Sequence, residues 1–269
     1  MALRRAAHQL YDPPPLVLDD PIAVKILGPE YSEELRKTAH KLEKPFSVSM
    51  RAYLIARSRY AEDNLARAVA EGTTQYVLLG AGLDTFAHRN PHPNLHVFEV
   101  DHPATQAWKL ALLTRASIPS PNSLTFVPVD FEHQDLAERL LATGFDPTIP
   151  TFFAWLGVVP YLTLEAFRST VAFVAAQPKG SALVFDYGQP RAVLPFHEQL
   201  AHDSLAARVA QAGEPFQLFF TPEDAARELS AFAHLEDLGS ADLNARYFAH
   251  RTDHLKLRST AARIVTAIR

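Results

Sequence analysis

Five short apolar runs recur through the first two thirds of the chain, most of them closing on glycine or aspartate, with helical spacing between them. Residues 75–79 end in Gly80-Ala81-Gly82, residues 96–100 at Asp101 and residues 125–129 at Asp130. Residues 151–156 form a fourth run and residues 182–185, before Asp186, a fifth. Apolar positions recur at helical intervals over 103–114, 134–143 and 164–177. The runs are continuously apolar rather than alternating, as parallel strands covered on both faces require. Strand, helix, strand repeated in this way predicts an α/β chain built on one doubly wound sheet.

The flanks are less regular. Residues 1–45 read as irregular at first, through Pro13-Pro14-Pro15, then as a helix from Pro21 behind Asp19-Asp20 and a second over 32–44. Residues 46–71 read as a long amphipathic helix, with Met50, Tyr53, Leu54, Tyr60, Ala61, Leu65, Ala68 and Val69 at spacings of three and four. Arg57 interrupts that apolar series, and a buried guanidinium needs an anionic partner. Beyond Asp186, residues 195–212 read as a helix able to act as a flap. Thr221-Pro222-Glu223-Asp224 is a helix start, and a further strand is expected near His234–Leu238. The final strand has no clear place in the pattern.

Composition narrows the function. The 269 residues carry a formal net charge of -4 with both signs mixed and no basic block, which argues against nucleic acid as a partner. The pair Arg4-Arg5 reads as a solvated terminus. There are no cysteines, so thiol nucleophiles, disulfides and cysteine-ligated zinc are excluded, and no metal is expected. The first residues lack a signal-peptide pattern. The longest apolar run, residues 152–162, is about half a membrane span and contains Pro160. These readings fit a cytoplasmic protein away from nucleic acid and membranes, with a small molecule the expected partner; they leave its oligomeric state open.

Ligands of doubly wound sheets bind at the carboxyl ends of the strands. Gly80 and Gly82 let the backbone approach a ligand, and Asp101 follows about 20 positions later, the spacing suited to ribose hydroxyls. Asp130 can accept from an exocyclic amine. Each has a plainer reading: Gly80-Ala81-Gly82 as an ordinary turn, Asp101 and Asp130 as helix caps. The run Gly80-Ala81-Gly82-Leu83-Asp84-Thr85 lacks the third glycine of a dinucleotide fingerprint. Asp84 would repel a pyrophosphate but suits the ammonium of a methionyl group, whose carboxylate Arg57 would hold. S-adenosylmethionine is therefore favoured over NAD. A nicotinamide-dependent oxidoreductase and a cofactor-binding protein without turnover are the alternatives.

LLGAGLDTFAHR (78–89), FEVDHPATQAWK (98–109), FVPVDFE (126–132), FFAWLGVVPYLT (152–163) and SALVFDY (181–187) together resemble the leucine carboxyl methyltransferase-like family. The likeness is closest to its bacterial branch of S-adenosylmethionine-dependent O-methyltransferases. ARSRYAEDNL (56–65) and Tyr247-Phe248-x-x-Arg251 extend it over nearly the whole chain. The resemblance implies a Rossmann-like methyltransferase sheet of seven strands, mostly parallel with the last antiparallel, under a helical cap. It makes Arg57 the holder of the methionyl carboxylate and Gly80, Ala81 and Gly82 the turn beneath the cofactor. Asp101 becomes the ribose acid with Glu99 a second candidate, and Asp130 with Phe131 the adenine contact. Two positions depart from the family pattern. Leu156 stands where many relatives carry an acid facing the cofactor, and Phe86 where many bacterial relatives carry arginine.

Within one domain the expected division is a helical cap over 1–72 and a nucleotide-binding core over 73–190. A lid over 191–220 and completion of the sheet over 221–269 follow. A carboxylate acceptor needs no general base, whereas a phenol benefits from one. His88, His102, His133 and His197 are the candidates, none singled out, and Tyr161, Tyr187 and Arg191 are candidate acceptor-pocket residues.

Overall fold

The computed structural model describes residues 2–38, 43–130 and 133–269. Seven strands make one sheet: β1 (Gln75–Leu79), β2 (His96–Asp101), β3 (Leu124–Pro128), β4 (Thr151–Trp155), β5 (Ala182–Gly188), β6 (His234–Leu238) and β7 (Ala262–Ile268). Their order across the sheet is β3-β2-β1-β4-β5-β7-β6. β1 to β5 pair in parallel, while β7 runs antiparallel between β5 and β6. The helices are α1 (Ala2–Tyr11), α2 (Pro21–Lys37), α3 (Pro45–Ala70), α4 (Pro103–Arg115), α5 (Leu136–Leu141), α6 (Leu164–Ala175), α7 (Phe196–Gln211), α8 (Pro222–Glu228) and α9 (Ser240–Tyr247). The doubly wound, mostly parallel seven-stranded sheet is thus present, with its last strand antiparallel.

Both faces of the sheet are covered, which is why its strands read as unbroken apolar runs. On β1, Val77 and Leu79 enter one core with Phe153, Trp155, Leu183 and Phe185, under Phe167 and Val171 of α6 and Leu229 after α8. The alternate residues Tyr76 and Leu78 enter a second core with Phe152, Val184 and Ile264, under Ile55, Tyr60 and Leu65 of α3. The Trp155 indole stacks on Phe167 with ring centroids 5.7 Å apart. A third cluster joins α1, α2 and α4 through Ala6, Ala23, Ile26 and Leu113.

The amino-terminal expectation needs correction. Residues 2–11 are helical, and Arg4-Arg5 is not a solvated pair: Arg5 is buried and Arg4 half-buried. Arg5 reaches Asp20 at 3.1 Å and donates to the Leu83 carbonyl. Two adjacent arginines ahead of a triple proline carry no local sign of such long-range partners. His8, fully buried, donates from Nδ1 to Asp12 and accepts the amides of Val17 and Leu18 at Nε2, which anchors the proline stretch. Arg251 holds the same stretch from the other side by donating to the carbonyls of Pro13 and Pro15. The span Pro21–Lys37 is two helical segments separated by a kink at Gly28 (φ 81°), so two helices are present as expected with the break earlier than residue 32; part of the second expected helix lies outside the described residues.

Candidate functional site

The sheet changes winding direction between β1 and β4, and the carboxyl ends of its five parallel strands carry the residues the sequence singled out. At the end of β1, Gly80 and Ala81 donate their amides to the Val100 carbonyl at 2.8 and 3.1 Å, folding the turn across β2. Gly80 has φ +67°, and a Cβ there would stand 2.4 Å from Val158 Cγ2. Glycine is therefore required twice over, by backbone conformation and by the close approach of the β4 loop. The Gly82 amide donates to Asp101 Oδ2, while Asp101 Oδ1 accepts from the His102 amide at 2.7 Å. Asp101 does not cap α4; the His102 side chain does, accepting from Ala104.

At the end of β5, Asp186 gathers groups from three elements. Its Oδ2 accepts from Arg57 Nη1 at 2.6 Å and from the Tyr53 hydroxyl at 3.0 Å, both on α3. Its Oδ1 accepts from the Gly157 amide, just past β4, at 2.5 Å. Burial works against the Arg57 charge, yet the Asp186 carboxylate outweighs it and holds the guanidinium above its ordinary pKa. Burial, reinforced by Asp186, lifts the Tyr53 hydroxyl well above the usual phenol range. Leu156 precedes Gly157 and packs against the α3 side of the sheet.

Glu99 and Asp84 belong to a buried ionic cluster beneath the glycine turn. Glu99 is 1% exposed and accepts from Lys109 Nζ at 2.6 Å, and the same ammonium donates to the Asp84 carbonyl at 2.6 Å. Burial raises the Glu99 carboxyl from its ordinary 4.5 to about 7 against the opposing pull of Lys109, and Asp84 and Asp101 add to the rise. The Asp84 carboxylate accepts the Phe86 amide at 2.7 Å and stands 3.6 Å from Arg5. Burial pushes its pKa up, but Arg5, Lys109 and Arg89 together hold it below the usual range. Fully buried Asp20 joins the cluster, capping α2 through Ala23 and accepting from Thr85 Oγ1 at 2.6 Å. Of these groups Lys109 and Arg89 were not singled out in the sequence, Asp20 was read only as a helix start and Arg5 as solvated, because each meets its distant partners only in the folded chain.

Asp130, two residues past β3, has a looser setting: its amide donates to Gln134 and its carboxylate meets the exposed His133 ring at 2.9 Å. Phe131 lies outside the described residues.

A cavity of about 400 Å³ opens beside the Arg57–Asp186–Gly157 cluster. Its apolar wall includes Met50, Leu54, Pro160, Leu205, Phe216 and Phe219. Tyr161 and Tyr187, flagged in the sequence, line it; Arg191 does not and instead pairs with Asp203. None of His88, His102, His133 and His197 lines it, whereas His202 does. Both His202 ring nitrogens are buried without a close hydrogen bond, Nδ1 standing 3.7 Å from Asp203 Oδ1, and the ring packs 5.4 Å from Phe219. Nothing in the sequence distinguishes His202 from His197, since only the helical phase of α7 turns one inward. Among the described residues no cluster of histidine and acid side chains forms a metal site, and no helix is long and apolar enough to cross a membrane.

Comparison with known proteins gives the lineage of the chain. Residues 1–175 match the family model for leucine carboxyl methyltransferases. The chain is 34% identical over 279 residues to the "Putative S-adenosyl-L-methionine-dependent methyltransferase YktD" of Bacillus subtilis (strain 168), covering 94% of this chain and 91% of that protein. A protein of Saccharopolyspora erythraea with the same descriptive name is 40% identical over 128 residues, 46% of this chain and 44% of its own. Among solved structures, a DUF574 family protein from Streptomyces avermitilis MA-4680 superposes with a TM-score of 0.59 at 18% identity, over 91% of this chain and 94% of that one. A protein from Thermobifida fusca YX described as a "putative methyltransferase" gives 0.58 at 18% identity, over 100% of this chain and 93% of that one. These two likenesses establish the fold, and the sequence matches establish the lineage. The chain belongs to the leucine carboxyl methyltransferase family and is an S-adenosylmethionine-dependent methyltransferase.

Proposed function

We propose that the protein is an O-methyltransferase acting on a hydroxyl or carboxyl of a small molecule. The observation that carries this reading is the cavity of about 400 Å³ beside Arg57, Gly157 and Asp186, a volume suited to a drug-sized ligand. In this reading Arg57 holds the methionyl carboxylate and Asp84 answers the ammonium through the turn it shares with Gly80, Ala81 and Gly82. Asp101 accepts from the ribose hydroxyls, with Glu99 sustaining the strand end from below. Asp130 and Phe131 take the adenine, and Leu156 supplies an apolar contact where many relatives have an acid. The donor set supports the fit. One guanidinium and the strand-tip carboxylates lie along the carboxyl edge of the sheet; Val158 packs against Gly80, while a Cβ at Gly82 would meet only the Gly80 carbonyl at 4.0 Å.

The cofactor supplies an activated methyl group on a sulfonium. The protein's own work is alignment and exclusion of water, and alignment alone is worth on the order of 7 to 11 kcal/mol. The division proposed for the chain fits that work. The 1–72 segment and the 191–220 segment both contribute cavity wall, Met50 and Leu54 from one and Leu205, Phe216 and Phe219 from the other. We place the protein in the cytoplasm on the same reading.

The test begins with calorimetric titration of S-adenosylhomocysteine. Methyl-labelled S-adenosylmethionine is then offered with a panel of phenols and carboxylic acids and, separately, with a protein extract. Label is expected in small molecules, as base-stable ether or base-labile ester. Label confined to the protein fraction would overturn the small-molecule assignment.

A further inference from the structure

The charged groups of the cavity do not balance. Asp186 is committed to Arg57, Tyr53 and Gly157. Glu198 is equally committed: it accepts from Ser259 Oγ at 2.6 Å, the Thr260 amide at 2.7 Å and Thr260 Oγ1 at 3.2 Å. Two further guanidiniums line the same cavity, Arg4 from α1 and Arg208 from α7. Neither has an ion-pair partner among the described residues. Arg4 donates only to the Ser47 carbonyl at 3.0 Å and Arg208 only to the Ser204 carbonyl at 3.4 Å. Burial, and after it the positive charges of Arg51 and Arg208, disfavour the charged form of Arg4. Arg4 is half-buried and Arg208 exposed, so the pair stays charged without an anion, and both present guanidinium donors to an anion that enters the cavity.

The position of this pair matters as much as its sign. Arg4 is fixed at the first turn of α3 by Ser47, whereas Arg57 lies further along the same helix. At 1.5 Å rise per residue the two anchor points are about 15 Å apart. The Arg4 contact is thus offset along α3 from Arg57, so an anion held at the Arg4 end leaves a second polar group of the same molecule to face the Arg57–Asp186 end. Between the two ends lies apolar and aromatic wall: Met50, Leu54, Leu205, Phe216 and Phe219.

We infer that the acceptor is an elongated amphipathic anion, whose carboxylate or equivalent acid group is gripped by Arg4 and Arg208 while its methyl-accepting hydroxyl lies at the Arg57–Asp186 end. This rests on the O-methyltransferase reading and narrows its substrate class. The apolar middle of the acceptor fills the aromatic wall, and the buried His202 nitrogens offer a hydrogen bond to a polar group along it. Bidentate geometry makes arginine suited to a planar carboxylate.

The test uses a matched pair of probes, 4'-hydroxybiphenyl-4-carboxylate and its neutral carboxamide, titrated calorimetrically with and without saturating S-adenosylhomocysteine. The carboxylate is expected to bind about tenfold or more tightly than the carboxamide, the worth of one charge-assisted hydrogen bond. In the variant Arg4→Gln with Arg208→Gln that preference disappears, while carboxamide affinity, S-adenosylhomocysteine affinity and thermal midpoint stay at wild-type values. Equal affinity of the two probes for wild type overturns the inference. So does a carboxylate preference that survives the double substitution, or failure of both probes to bind. Absence of S-adenosylhomocysteine binding sinks the cofactor-site reading instead, and the probe preference is still judged from the titration without it.

Discussion

Arg57 Nη1 donates to Asp186 Oδ2 at 2.6 Å, joining α3 to the end of β5 with both side chains buried. The pair fixes the guanidinium at the strand tips. Arg57→Ala leaves the Asp186 carboxylate buried without its cation and is expected to cost about 3–5 kcal/mol of stability. Arg57→Lys keeps a charge but loses the planar fork. It is expected to stay folded and to weaken S-adenosylhomocysteine binding by about tenfold, one charge-assisted hydrogen bond. Urea denaturation and calorimetry check the two halves separately, and wild-type affinity in Arg57→Lys would remove Arg57 from the cofactor site.

The raised Glu99 carboxyl gives stability a pH signature. Its pKa is about 7 folded against 4.5 ordinarily, so between those values the native state binds a proton that the unfolded chain has released. Stability from this group is present below pH 4.5 and is lost as pH rises toward 7. Glu99→Gln should flatten that decline: the stability of wild type relative to Glu99→Gln falls from pH 4.5 to 7. A relative stability that rises over this range would show that Lys109 keeps Glu99 ionised throughout.

Two helix caps separate an ordinary cap from a charged hub. Thr163 accepts only the Ala166 amide, at an exposed site, and Thr163→Ala is expected to cost about 1 kcal/mol. Asp20 caps α2 but also meets Arg5, Thr85 and Arg89 with no exposure. Asp20→Ala leaves Arg5 with Asp84 and Arg89 with Glu62 but unpairs the buried Thr85 hydroxyl and removes a shared charge, and is expected to cost about 2–3 kcal/mol. Denaturant midpoints of the two variants measured side by side would show equal losses if the hub added nothing.

Gly80→Ala meets both a φ of +67° and the Val158 methyl. The backbone part costs roughly 1–2 kcal/mol, and the clash adds to it. Pairing Gly80→Ala with Val158→Ala removes the clashing methyl but leaves the strained φ, so partial recovery is the expected outcome. Full recovery would mean that the turn tolerates a side chain and that sterics alone select glycine.

The strands were legible because their chemistry is local. Residues 75–79 and 234–238 stand where the pattern predicted, and the run expected over 125–129 is offset by one residue from β3. β7 was not placed: Ala262–Ile268 mixes Arg263 and Thr266 into its apolar series, and those polar groups find Asp237 and the Tyr60 hydroxyl only after the sheet forms. Arg57 announced itself as a cation inside an apolar helical stripe, although its partner Asp186 is 129 positions away and not readable from spacing. The cavity wall was the least legible part. Arg4, His202 and Arg208 sit in segments with no motif, and only the packing of α1 and α7 around α3 gives them a common space.

β7 enters the sheet between two strands made before it, and that order governs how a growing chain matures. Until residues 262–268 leave the ribosome, β6 has no neighbour to pair with and β5 presents a bare edge. Synthesis therefore passes through an interval in which the parallel half is competent to assemble while its seam stays open to foreign strands. A nascent polypeptide arrested after α9 would be a ready template for aggregation, and holdase chaperones would find their target at that seam.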